Sequence, residues 1–102
     1  MSIHVQRINE EPIIVITYQD PISIPEDPAK ALEASASLKQ AVGGPVCRIL
    51  DFSQVKLNFS DMMLGMAYEK DQEGGTYDPN VANIFVGSDE LVKFGVESMA
   101  HQ

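Results

Sequence analysis

The sequence predicts an α/β domain: a mixed four-stranded sheet in the order β-β-α-β-α-β-α, with its helices mainly on one face. Three observations carry this. Ile13-Ile14-Val15-Ile16-Thr17-Tyr18, Val46 to Phe52 and Val81 to Gly87 are short runs rich in β-branched and other apolar residues. The segments between and after them, opening at Ala29, Asp61 and Asp89, have the composition of amphipathic helices. Gly, Pro and Asn clusters punctuate the boundaries.

Each element has its own signals. Ile3, Val5 and Ile8 mark a first strand, and the turn signal Asn9-Glu10-Glu11-Pro12 leads so quickly into the second that an antiparallel hairpin is expected. Asp20-Pro21 breaks the second strand. Asp27 followed by Pro28 predicts a helix N-cap with proline in the first turn, and a helix over Ala29 to Val42. Ala31, Leu32, Ser35, Leu38 and Val42 fall near one face of it, and Gly43-Gly44-Pro45 stops it. Val46 to Phe52 is the third strand. Ser60 predicts the cap of a second helix over Asp61 to Glu73, with Met63, Met66, Ala67 and Tyr68 or Lys70 on its inner stripe and Gly74-Gly75 at its end. Asp78-Pro79-Asn80 is a turn, and Val81 to Gly87 the fourth strand. Ser88 caps a third helix over Asp89 to Ala100, with Leu91, Val92, Gly95, Val96 and Met99 inward.

Right-handed crossovers that add strands in the order 1-2-3-4 place their helices on one face. One parity set, Ile14, Ile16 and Tyr18 with Cys47, Ile49, Ala82, Ile84 and Val86, is almost wholly apolar and is expected under the helices. The other, Val15 and Thr17 with Val46, Arg48, Leu50, Val81, Asn83 and Phe85, is mixed. It is expected to be partly solvent-exposed or to meet a second subunit. A homodimer through that face, or through the edge of the fourth strand, follows as an expectation.

Composition narrows the function classes. The 102 residues fit one domain. A net charge of −8 disfavours phosphate backbones and anionic membrane surfaces, so neither nucleic acid nor a lipid surface is the expected partner. Basic partners remain compatible with it. Cys47, alone in the sequence, cannot form an internal disulfide and reads as a buried small hydrophobe. The N-terminal stretch lacks the cationic-then-apolar design of a secretory leader, and no apolar run approaches bilayer length, so a cytoplasmic location without membrane insertion is expected.

Leu50-Asp51-Phe52-Ser53-Gln54-Val55, followed by Leu57-Asn58-Phe59-Ser60-Asp61, resembles the signature of STAS domains, the anti-sigma-factor-antagonist-like family. Asn83-Ile84-Phe85-Val86-Gly87 is similar to a later strand of small bacterial STAS-like or SEC14-like proteins. The resemblance spans nearly the whole chain and implies a single non-enzymatic interaction module, often switched by phosphorylation of a serine at a helix N-terminus. Phosphate there would meet free backbone N–H groups and the positive end of the helix dipole. Ser60 matches the first serine of the family's pair; Asp61 stands at the phosphorylated one, and Met62 replaces a glycine. The resemblance therefore implies a switch that is absent or held permanently acidic. It also implies a further strand and helix after the third helix, so residues 1–102 read as a short or truncated form.

The candidate contact site is the loop between strand 3 and helix 2: Ser53, Asn58, Ser60, Asp61 and Met62. Ser60 reads first as a helix cap and second as a phosphoacceptor. Asp51, Ser88 and Asp89 form a possible ligand rim at the carboxyl ends of the strands, where ligands gather in open α/β sheets. For Asp51 the alternative is a carboxylate accepting loop N–H groups. Glu69, Asp71, Glu73 and Asp78 flank Gly74-Gly75 and read as a solvated acidic face rather than a cation site. His4 and His101 have no ligand partner at metal-binding spacing, and no nucleophile, phosphate-loop or dinucleotide motif is present, so neither metal, cofactor nor catalysis is expected. The leading expectation is a regulatory module that works by contact with a protein partner. The alternative is binding of a small apolar or anionic ligand between helix 2 and the sheet edge.

Overall fold

The β-branched runs pair as a four-stranded mixed sheet in a computed structural model that describes residues 3–56 and 59–87. β1 (Ile3–Arg7) and β2 (Ile13–Tyr18) form the expected antiparallel hairpin, turning at Asn9 with φ 50°. β3 (Val46–Asp51) and β4 (Val81–Val86) add in parallel, giving the order β1-β2-β3-β4. Ser88, Asp89, the third helix and His101 lie outside the described residues, as does Asn58. Among the described residues no helix is long and apolar enough to cross a membrane.

α1 (Glu26–Val42) begins three residues before the expected start, and Asp27 is not its cap. Two first-turn carboxylates instead fold back onto Ser23. Its hydroxyl donates to Glu26 Oε2 (2.7 Å) and its backbone N–H to Asp27 Oδ2 (2.9 Å). That leaves Asp27 buried inside the first turn, where Pro28 is tolerated because its missing N–H has no helical acceptor to meet. Gly43, at φ 73°, closes the helix by donating its N–H to Lys39 O.

α2 (Phe59–Glu69) is shorter than expected and its inner stripe is displaced by one residue. Met62, Met66 and Glu69 face inward at i, i+4 and i+7, while Met63 and Ala67 are exposed. Ser60 is the second helical residue rather than the cap. The helix stops at Glu69 because the chain then turns through Asp71, at φ 62°, and Gln72 donates its N–H to Glu69 O. Gly74-Gly75 have another role. A Cβ at Gly74 would lie 2.7 Å from the Ala36 amide nitrogen, and one at Gly75 would lie 2.5 Å from Glu69 O. Glycine at both positions lets the loop press onto α1 and the end of α2, which brings Thr76 into the interior.

The helices cover the face opposite to the one expected for β3 and β4. In register, Ile14 pairs with Arg48 and Arg48 with Asn83; Ile16 pairs with Leu50 and Leu50 with Phe85. Ser35 of α1 and Glu69 of α2 both reach Arg48, so both described helices lie on this mixed face. Arg48 is fully buried, at 0 % exposure. A dimer through the mixed face is therefore closed off. Of the apolar set expected under the helices, Ile14, Ile16 and Tyr18 are buried on the covered face, whereas Cys47, Ile49, Ala82, Ile84 and Val86 lie with Ile13 and Val15 on the side that neither described helix covers. Cys47 is half-buried there rather than enclosed beneath a helix.

Candidate functional site

Two features of the covered face meet beneath α2: a polar network centred on Arg48 and a pocket beside it. Arg48 Nη2 donates to Glu69 Oε1 and to Thr76 Oγ1 (3.2 Å). Nε donates to Asn83 Oδ1 (2.5 Å) and Nη1 to Ser35 Oγ (3.4 Å). Thr76 donates its own proton to Glu69 Oε1 (2.9 Å), and Asn83 donates its amide protons to Thr76 O and Val81 O (both 3.2 Å). α1, α2, β4 and the loop carrying Thr76 thus converge on one guanidinium of β3. No buried side-chain nitrogen or oxygen of the described residues is left without a partner. A buried pair of this kind is costly to desolvate, and removing one member typically costs about 3–5 kcal/mol.

The pocket lies between α2, the segment from Ile22 to Pro28, and the carboxyl ends of β2, β3 and β4. It has a volume of about 50 Å³. Its inner wall is aromatic: Tyr18 stacks on Phe52 with ring centres 4.5 Å apart, and Phe52 on Phe85 at 6.4 Å. Leu50, Met62 and Met66 complete that wall, while half-buried Ile22, Ile24, Asp61 and Gly65 form the mouth. The residues with polar groups in the lining are Glu69, Thr76, Asp61 and Tyr18.

Tyr18 is 5 % exposed, and no described residue forms a hydrogen bond with its hydroxyl. Burial raises its pKa well above the ordinary value; the Glu69 charge adds to the rise, the Arg48 charge opposes it and Asp27 adds a little. The phenol therefore keeps its proton. Gly65 carries a cost. It sits inside α2, where a Cβ would meet nothing closer than Pro28 Cγ at 3.9 Å. Alanine fits there and favours a helix by about 1 kcal/mol.

The structure separates the expected site residues. Asp61 and Met62 line the pocket. Ser60 is exposed at the start of α2, and Ser53 is exposed beside Asp51. Asp51 Oδ1 accepts the Ser53 N–H (2.9 Å), a local turn at the end of β3. The loop after β3 is braced from the other side: Gln19 donates to Gln54 (3.1 Å) and the Lys56 N–H donates to Asp20 Oδ2 (3.3 Å).

The acidic cluster is not a solvated face throughout. Glu69 is committed to Arg48, and Asp78 Oδ2 accepts from Lys39 Nζ (2.8 Å) and the Gly74 N–H (2.8 Å), while Oδ1 accepts the Asn80 N–H (2.9 Å). Partial burial raises the Asp78 pKa, but these bonds and the Lys39 charge outweigh it and hold the carboxyl below its usual range. The hydrogen bond to Asp78 raises the Lys39 pKa in turn. Among the described residues no group of three or more His, Cys, Asp and Glu side chains is placed to hold a metal ion.

Tyr18, Gly65, Glu69 and Thr76 were not singled out as site residues by sequence alone. One signal for the network is visible in retrospect. Arg48 and Asn83 sit at the same depth, two residues after Val46 and Val81, in strands that pair in parallel. Two polar residues at matched depth can bond each other and share a face. No protein-family model, curated protein or solved structure matches this chain.

Proposed function

We infer that the chain is a non-enzymatic interaction module of the STAS type, acting through the β3–α2 connection and the outer face of α2. One observation carries this reading: Met63 and Leu64, 45 % and 57 % exposed, lie side by side in the first half of α2, next to exposed Ser60. Leu64 is the most exposed large apolar side chain among the described residues. The neighbouring loop is held at Gln54 and Lys56 by hydrogen bonds with Gln19 and Asp20. A partner that suits it has an apolar patch rimmed by basic residues, complementary to a chain of net charge −8.

The test is photo-crosslinking from position 60 in the native host, followed by mass spectrometry. A discrete, stoichiometric protein adduct is expected, lost in Leu64→Lys and retained in Ile84→Lys, with both variants folded. An adduct that survives Leu64→Lys would remove α2 from the contact. In the same spectra, a phosphate mapped to Ser60 would make the contact switchable, and an unmodified Ser60 would make it constitutive.

A further inference from the structure

The pocket beneath α2 has unused hydrogen-bonding capacity at its inner end. The Tyr18 hydroxyl has no hydrogen-bond partner among the described residues. The hydrogen bonds that Glu69 receives from Arg48 and Thr76 both fall on Oε1, and no described side chain donates to Oε2. The two groups are near enough for the Glu69 charge to act on the Tyr18 phenol. At the other end, Gly65 leaves the mouth unobstructed although a side chain would fit there.

We propose that this pocket binds a small neutral amphiphile, an apolar chain or ring ending in a hydroxyl group. The head follows from the two polar groups. Tyr18 donates and Glu69 accepts, so the group between them accepts one hydrogen bond and donates another, as a hydroxyl does. A carboxylate head would face Glu69 inside and Asp61 at the mouth. An ammonium head would bring a second cation to a carboxylate whose charge Arg48 already matches. The body follows from the walls: Ile22 and Ile24 at the mouth and Met62 and Met66 on α2, where methionine's unbranched side chain adapts to different shapes. Size sets the pose. At about 50 Å³ the enclosed space is well below the roughly 150 Å³ of an apolar cavity that takes benzene. It holds the hydroxyl and the first carbons, and the rest of the body lies in the mouth between Ile24 and Gly65. This site is separate from the protein contact at Met63 and Leu64, so either can fail without the other.

The test titrates the full chain with 1-hexanol, sodium hexanoate and hexylamine, read by amide shifts at Tyr18, Gly65 and Thr76 and methyl shifts at Met62 and Met66. Saturable shifts with 1-hexanol are expected with a dissociation constant on the order of millimolar, as suits so few heavy atoms. Hexanoate and hexylamine are expected to bind at least about fivefold more weakly. Tyr18→Phe keeps the aromatic wall and removes the donor, and should weaken 1-hexanol about three- to tenfold. Gly65→Leu should abolish the shifts by filling the mouth. If that variant does not fold, Gly65→Ala, which fits the helix, should still weaken binding measurably. Shifts that never saturate would overturn the proposal and leave a pocket that holds only water. Equal binding of hexanoate, or undiminished binding in folded Tyr18→Phe, would overturn it as well.

Discussion

The two faces of the sheet treat polarity differently: the covered face buries Ile14, Ile16, Val46, Leu50 and Phe85 around a charged network, while the other leaves apolar side chains of β3 and β4 partly exposed. The face under the helices carries an arginine, an asparagine and, from the helices, a glutamate and a serine. The face that neither described helix covers carries Val15, Cys47, Ile49, Ile84 and Val86, with Ile84 49 % exposed. Along β3 and β4, hydrophobicity alone would have assigned them the other way. The covered face accommodates its charges because each guanidinium nitrogen of Arg48 meets an acceptor, from β4, α1, α2 and the loop that Gly74 and Gly75 press inward. Burial here follows partner supply rather than the character of a single residue.

Removing the guanidinium should have the largest effect. Arg48→Leu leaves Glu69 as an unmatched buried charge and is expected to cost about 3–5 kcal/mol, a large part of the stability of a domain this size. Adding Glu69→Met should recover most of that loss, because a buried ion pair and a well-packed apolar pair of similar volume are often nearly equivalent. Urea unfolding of the single and double variants checks both. If the double variant is no more stable than the single, the network contributes more than charge matching.

The apolar part of the same comparison is smaller. Ile16, at 0 % exposure on the covered face, should lose about 2–5 kcal/mol on truncation to alanine. Ile84→Ala, on the other face, should lose less than about 1 kcal/mol. Equal losses would mean that the second face is as tightly packed as the first.

A pH-dependent effect belongs to the loop that delivers Thr76. Asp78→Asn weakens the bonds from Lys39, Gly74 and Asn80 and should cost roughly 1–3 kcal/mol near neutral pH. The folded-state pKa of Asp78 lies below its unfolded value, so its contribution is present in full above the ordinary carboxylate pKa. It fades as pH falls through the lowered folded-state value. Lys39 has the opposite sign: its raised pKa stabilises below the ordinary lysine range and the effect is lost as pH rises through the folded-state value. Unfolding curves of Asp78→Asn and the parent chain should therefore converge toward acid. A gap that stays constant down to strongly acidic pH would show that the carboxylate's charge is not what holds the loop.

Element order, the hairpin, the strand order and both described helices were legible in the sequence, because β-branched runs and Gly-Pro punctuation are local signals. The facing of β3 and β4 was not. Both alternations of Val46-Cys47-Arg48-Ile49-Leu50 are largely apolar, and only Arg48 interrupts one of them. Choosing the uninterrupted set ignores that Glu69, Ser35 and Thr76, distant in sequence, converge on that arginine. The one-residue displacement of the α2 stripe has the same origin: Glu69, not an apolar residue, is the inward end of that helix. Two of the pocket's lining residues were within reach, since Asp61 and Met62 lie in the expected loop region. Tyr18 and Gly65 were not, because an unpartnered hydroxyl and an unfilled space exist only once the elements pack.

The most direct test of which face of β3 and β4 lies under the helices is a urea unfolding measurement of Arg48→Leu and Ile84→Lys side by side. Arg48→Leu should move the midpoint far down and Ile84→Lys hardly at all, although the first makes the sheet more apolar and the second more charged. The reverse order, a stable Arg48→Leu and a collapsed Ile84→Lys, would place the helices on the apolar face and contradict the account.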